Sequence, residues 1–136
     1  RAGSIKNIQF VGGPRAFGPR PRDYDFKLNK KVKQLARRSA LTYKAKDSQI
    51  TVLEDFNFEN PKTKKYLDLL NSLQLKNKKT LLVLPSVNAN VVLSSRNLKN
   101  TKVTTSEGLN THDILYASHV IFSESGLKGI ENLLSN

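Results

Sequence analysis

The chain has 136 residues, with 23 Lys and Arg against 11 Asp and Glu, a net charge of +12. It contains no Cys, which excludes disulfides and thiolate metal sites, and no stretch approaches the roughly 20 apolar residues of a bilayer-spanning helix. The charge is unevenly spread: residues 1–46 carry 13 Lys and Arg against only Asp23 and Asp25, whereas residues 47–136 carry ten basic and nine acidic side chains.

A cationic arm joined to a nearly neutral body implies a dense polyanion as partner, and nucleic acid fits best. Residues 1–27 read RAGSIKNIQFVGGPRAFGPRPRDYDFK and hold four of the seven glycines and three of the five prolines. Pro removes donors and Gly widens the accessible backbone, so neither helix nor sheet is expected here. Fully extended, such an arm reaches on the order of 90 Å. Arg1, Lys6, Arg15, Arg20 and Arg22 alternate with Phe10, Phe17, Tyr24 and Phe26. Guanidinium groups pair with phosphates and aromatic faces stack on unpaired bases, so the pattern suits RNA. A basic disordered linker is the plainer alternative. Arg1 to Phe10 has no apolar run of the kind a signal peptide uses.

Leu28 to Lys46 has helical spacing, with Asn29 as N-cap. Leu28, Val32, Leu35, Ala36 and Ala40 share a stripe expected to dock on the body. Lys30, Lys31, Lys33, Arg37, Arg38 and Lys44 fill much of the remaining surface. No carboxylate interrupts Lys30 to Lys46, whereas a merely solvated helix normally mixes signs.

In the body, Ser48 to Phe56 reads as a strand. Asn60 and Pro61 open a helix that buries Tyr66, Leu67, Leu70 and Leu73. Thr80 to Leu84 is a continuous apolar run, as in a strand covered on both faces. Asn88 or Asn90 caps a short helix running to about Leu98. Val103 centres a weak strand. Thr111 caps another short helix, His119 to Phe122 is a fourth strand, and Ser125 to Leu134 closes the chain as a helix. This alternation predicts an α/β fold: a parallel sheet in a three-layer α/β/α arrangement of Rossmann-like topology. The predicted division is an extended RNA-binding loop over 1–27 and an α/β globular domain over 28–136.

Signatures of catalysis are missing. No glycine-rich phosphate loop follows a strand. His112 and His119 fall on different elements, seven residues apart, and do not make a metal pair. No catalytic residue, cofactor or metal is expected.

Arg1-Ala2-Gly3-Ser4-Ile5-Lys6, then Gly12-Gly13, then Phe17-Gly18-Pro19-Arg20-Pro21-Arg22-Asp23-Tyr24, followed by Lys27-Leu28-Asn29-Lys30-Lys31-Val32, resembles the bacterial large-subunit ribosomal protein L-four family. Pro61-Lys62-Thr63-Lys64 and Ser95-Arg96-Asn97-Leu98 are similar to it as well, so the likeness covers essentially the whole chain. Pro14 departs from it, standing where many members have a third glycine. The resemblance implies a structural constituent of the large ribosomal subunit that binds large-subunit ribosomal RNA early in assembly. It implies contacts with several RNA domains, with neighbouring ribosomal proteins and, at the loop tip, with the nascent peptide in the exit tunnel. A cytoplasmic location follows, with no membrane role. On this pattern residues 1–17 are the returning half of a long loop, and a strand, a helix and the outgoing half-loop are expected before Arg1.

The candidate RNA-binding residues are Arg1, Ser4, Lys6, Arg15, Phe17, Arg20, Arg22, Tyr24 and Lys27 in the arm, with Lys30, Lys31, Lys33, Arg37 and Arg38 on the helix. Two other readings stand beside this one. A basic-armed α/β protein-interaction module would bind nucleic acid nonspecifically. A small enzyme would need a polar pocket beyond the strands, lined by Asn88, Asn90 or Glu107.

Overall fold

A computed structural model describes residues 3–135. Its centre is β2 (Thr80–Leu84), every residue of which is buried. Leu81 and Val83 face one layer, and Leu82 and Leu84 the other, the alternation a pleated strand imposes. Among the described residues four strands form one sheet, in the order β1 (Ile50–Leu53), β4 (His119–Ser123), β2, β3 (Thr101–Thr105). All three pairings are parallel, with Ile50 opposite Val120, and Thr80 opposite both His119 and Thr101.

One face of the sheet meets α1 (Lys30–Lys46), α4 (Thr111–Tyr116) and α5 (Glu124–Ser135) around Leu81, Val83, Ile114, Val120 and Phe122. The other meets α2 (Thr63–Ser72) and α3 (Ala89–Ser95) around Tyr66, Leu70, Leu82, Val91 and Ile121. The expected three-layer parallel α/β fold is therefore present.

Several local expectations are corrected. The first strand is four residues long, because residues 54–62 leave the sheet without helix or strand. Helix α2 starts at Thr63 with Lys62 at its N-cap, not at Pro61 with Asn60 as the cap. Helix α3 ends at Ser95 rather than Leu98. Asn110, not Thr111, caps α4, its side chain accepting from the Asp113 amide at 2.7 Å. At α3 Asn88 is the cap, accepting from the amides of Asn90 and Val91. Asn29 precedes α1 as expected, but its side chain makes no cap bond.

The largest correction concerns the docking face of α1. Leu28, Val32 and Leu35 are 52, 49 and 67 % exposed. Of the expected stripe only Ala40 is buried and Ala36 half-buried; the helix also buries Gln34 and half-buries Arg37, Leu41 and Lys44, so its docking face is turned away from Leu28, Val32 and Leu35. The Gln34 amide donates to the Leu133 carbonyl at 3.1 Å, and the Lys44 ammonium donates to Gln49 Oε1 at 2.7 Å. Long polar side chains cover apolar surface with their stems while their heads find partners.

Candidate nucleic-acid interface

Residues 3–29 contain no helix or strand, yet the tip of the arm is not extended. Three successive turns close it: the amides of Asn7, Phe10 and Gly13 donate to the carbonyls of Ser4, Asn7 and Phe10 at 2.9, 3.1 and 3.0 Å. The Ser4 hydroxyl accepts from the Lys6 amide at 3.2 Å. Gly12 has a φ of +81°, which L side chains avoid. A Cβ at Gly13 would lie 2.1 Å from the Asn7 carbonyl oxygen, so only glycine closes the last turn. Lys6 flanks a hollow of about 460 Å³ between the turns and Pro14.

Beyond the turns the arm displays its side chains. Phe17 and Tyr24 are each 81 % exposed, and Arg15, Arg20, Arg22 and Lys27 are exposed. The Arg22 guanidinium lies 4.5 Å from the Tyr24 ring centroid, a pairing that holds a cation beside a stacking face. Arg1 lies outside the described residues.

Lys30, Lys33 and Arg37 recur at helical spacing and line one groove of about 520 Å³. Gln34, Ser106, Glu107, Gly129, Asn132 and Leu133 complete it. Here α5 comes close to the turn after β3: a Cβ at Gly129 would lie 2.9 Å from Ser106 Oγ. Among the described residues Glu107 is the only carboxylate lining the groove. Among the described residues no cation of the arm or of α1 is ion-paired to a carboxylate. The groove can therefore accept a phosphate backbone without first breaking internal pairs. Lys31 is exposed outside this groove. Arg38 instead rims an apolar groove of about 350 Å³ between α1 and α5, with Leu41, Leu127 and Glu131.

Of the residues that would favour an enzyme, Glu107 lines the basic groove, Asn88 lines a groove of about 230 Å³ at the carboxyl ends of β2 and β3, and Asn88 and Asn90 have structural partners. The Asn88 amide donates to Asn57 Oδ1, and the Asn90 amide to the carbonyls of Phe58 and Glu59. Both pin the coil after β1. His119 Nε2 lies 2.7 Å from Thr51 Oγ1 across the sheet. Burial, then the ammonium groups of Lys78 and Lys44, hold its pKa below the ordinary 6.5. Among the described residues no three His, Asp or Glu gather as a metal site would require.

Sequence reasoning left one cationic cluster unassigned. Lys79, Lys99 and Lys102 line a groove of about 220 Å³ with Asn100 and Tyr116. The available signal was lysine just before two strands, KNKKT ahead of β2 and LKNTK entering β3.

Fold and site together define a basic-armed parallel α/β domain with a row of unpaired cations along one helix. The chain belongs to the ribosomal protein L4/L1 family, whose pattern matches residues 1–133. It is 57 % identical over 136 residues to large ribosomal subunit protein uL4 of Amoebophilus asiaticus, covering all of this chain and 65 % of that protein. It is 54 % identical over 134 residues to uL4 of Bacteroides fragilis, covering 98 % of this chain and 64 % of the relative. It is 56 % identical over 135 residues to uL4 of Flavobacterium johnsoniae, covering 99 and 65 %. The chain thus spans about 65 % of the length of these curated relatives.

Proposed function

We propose that the chain is part of a non-enzymatic structural constituent of the large ribosomal subunit, acting in the bacterial cytoplasm by binding large-subunit ribosomal RNA. The observation that carries this reading is the groove lined by Lys30, Lys33 and Arg37, whose cations have no internal carboxylate partners among the described residues. The names of the relatives support it. Residues 1–27 act as the RNA-binding loop and 28–136 as the globular domain. In the loop, Arg1, Lys6, Arg15, Arg20, Arg22 and Lys27 meet phosphates, Phe17 and Tyr24 stack on unpaired bases, and Ser4 holds the first turn. On α1, Lys31 and Arg38 extend the contact made by the groove. The loop reaches several RNA domains during assembly, and its turned tip lines part of the exit tunnel beside the nascent peptide.

The test is binding of large-subunit ribosomal RNA by the full chain and by its Arg20→Ala, Arg22→Ala double variant across a salt series. Each lost phosphate contact should flatten the slope of log K against log salt by about 0.7 to 0.9. An unchanged slope would refute the role of these arginines. A second reading, a protein-interaction module, is favoured by exposed Leu28, Val32 and Leu35; contacts with neighbouring ribosomal proteins accommodate it within the first.

A further inference from the structure

We propose that the amino-terminal end of the sheet carries a second RNA site, which takes a single unpaired nucleotide. The base packs against the ring pair of His112 and Tyr116, and the phosphate sits among Lys79, Lys99 and Lys102. This rests on the RNA reading above and extends it to a surface at the other end of the body.

Parallel pairing builds the site. Thr80 lies opposite Thr101 and Leu81 opposite Lys102, so the lysine-bearing entries to β2 and β3 run side by side. Lys79 and Lys99 have no carboxylate partner among the described residues. Lys102 is held at 2.7 Å by Asp113, which is buried, while the lysine side chain stays 58 % exposed. Among the described residues Asp113 is the one carboxylate lining the groove, so this lining keeps a cationic excess.

The aromatic half comes from α4. Tyr116 is 63 % exposed, and the Lys79 ammonium lies 4.0 Å from its ring centroid. The His112 ring, one helical turn earlier, is parallel to it within 11° at a centroid separation of 5.9 Å. The His112 side chain is 83 % exposed. Exposed parallel rings beside a cluster of three ammonium groups, of which only Lys102 is paired to a carboxylate, suit a base and its phosphate once the base displaces Lys79 from the Tyr116 face. A carboxylate-rich peptide would use the amines and leave the rings idle. The hollow of about 220 Å³ walled by the lysines and Tyr116 has room for one phosphate and its sugar, with the base on the rings at its rim. A duplex keeps its base faces stacked inside, so the nucleotide must be unpaired.

The first groove adjoins Ser106 and Glu107, just beyond the carboxyl end of β3, whereas this one adjoins the first residues of β2 and β3. A five-residue strand separates the two by about 17 Å. The body therefore bridges two RNA segments.

The test uses the full chain with fluorescein-labelled single-stranded hexanucleotide RNA of adenine, and separately with large-subunit ribosomal RNA. Variants are His112→Ala, Tyr116→Ala, Tyr116→Phe and the pair Lys79→Gln, Lys99→Gln, each checked for an unchanged melting temperature. Each is also placed in a Lys30→Ala, Lys33→Ala, Arg37→Ala background, where the first groove is silent. Losing a stacking ring or the two ammonium groups should weaken hexanucleotide binding about tenfold in both backgrounds, while Tyr116→Phe retains it. Wild-type binding that these variants leave untouched would overturn the second site and leave the proposed function standing. Absence of RNA binding by the wild-type chain would overturn both. Normal RNA binding with lost affinity for a poly-glutamate peptide would overturn the RNA assignment in favour of protein docking.

Discussion

Replacing Gly126 by alanine sets helix propensity against a steric limit. Gly126 sits buried in the first turns of α5, which the Asp55 carboxylate ties down by accepting from the Ser125 amide and hydroxyl. A Cβ there would meet the Val83 carbonyl oxygen and Ser123 Oγ, each at 2.9 Å, and the Leu84 carbonyl carbon at 3.3 Å. Two of these atoms are backbone in the central strand and its end, where yielding is costly, so overpacking of about 2–3 kcal/mol is expected. Alanine returns about 1 kcal/mol of helix propensity. The net is a destabilisation of about 1–2 kcal/mol. Urea unfolding followed by far-ultraviolet circular dichroism should show the midpoint falling by roughly 0.5–1 M at an unchanged slope. Gly129→Ala is the internal control: its Cβ meets only the Ser106 side chain, whose hydroxyl can rotate away, and no backbone atom. It should stay within about 1 kcal/mol of wild type. A Gly126→Ala chain as stable as wild type would refute the close seating of α5 on the sheet.

Three further outcomes follow from the same geometry. Replacing Lys30, Lys33 and Arg37 together by alanine should flatten the RNA salt slope by about 2 to 2.7, while Lys31→Ala alone lowers it by less than about 1; both are read by anisotropy over a potassium chloride series. Tyr66 is fully buried with its hydroxyl unpartnered, and burial pushes its phenol pKa well up; Tyr66→Phe should therefore stabilise the fold by about 1 kcal/mol in urea unfolding. His119 has a folded pKa below the unfolded value of 6.5, so the unfolded chain takes up its proton first as pH falls. The stability from His119 is thus present above about pH 6.5 and is lost as pH drops through the folded pKa. Melting temperatures between pH 7.5 and 5 should fall less steeply for His119→Gln.

The parts of the fold legible in sequence were those set by local pattern. The TLLVL run reads as a doubly covered strand because continuous apolar character has few other uses at that length. Alternating strands and short helices read as a parallel sheet because crossovers require it. Strand order was not legible: β4 enters between β1 and β2 through pairings that span the body, and no local signal sets them. The docking face of α1 was only partly legible: Ala40 docks as expected, but Gln34, Arg37 and Lys44 share the contact with Ala40 and Leu41, while Val32 and Leu35 stay exposed. Periodicity scores residue type and misses the apolar stems of polar side chains. The cationic arm and helix were legible as charge without sign mixing, but the convergence of Lys30, Lys33 and Arg37 on Ser106 and Gly129 needed the structure. The groove at the amino-terminal end was beyond sequence reasoning, since the neighbourhood of Lys79 and Lys102 depends on strand register.

The central claim is that this chain recognises ribosomal RNA, and the most direct measurement is equilibrium binding of the full chain to large-subunit ribosomal RNA from low to high salt. An unrelated structured RNA serves as competitor. Retained preference for the ribosomal RNA as salt rises is the predicted result, because groove shape and ring stacking persist after phosphate attraction is screened. Equal affinity for both RNAs, collapsing together as salt rises, would contradict it and reduce the arm and helix to a generic cation.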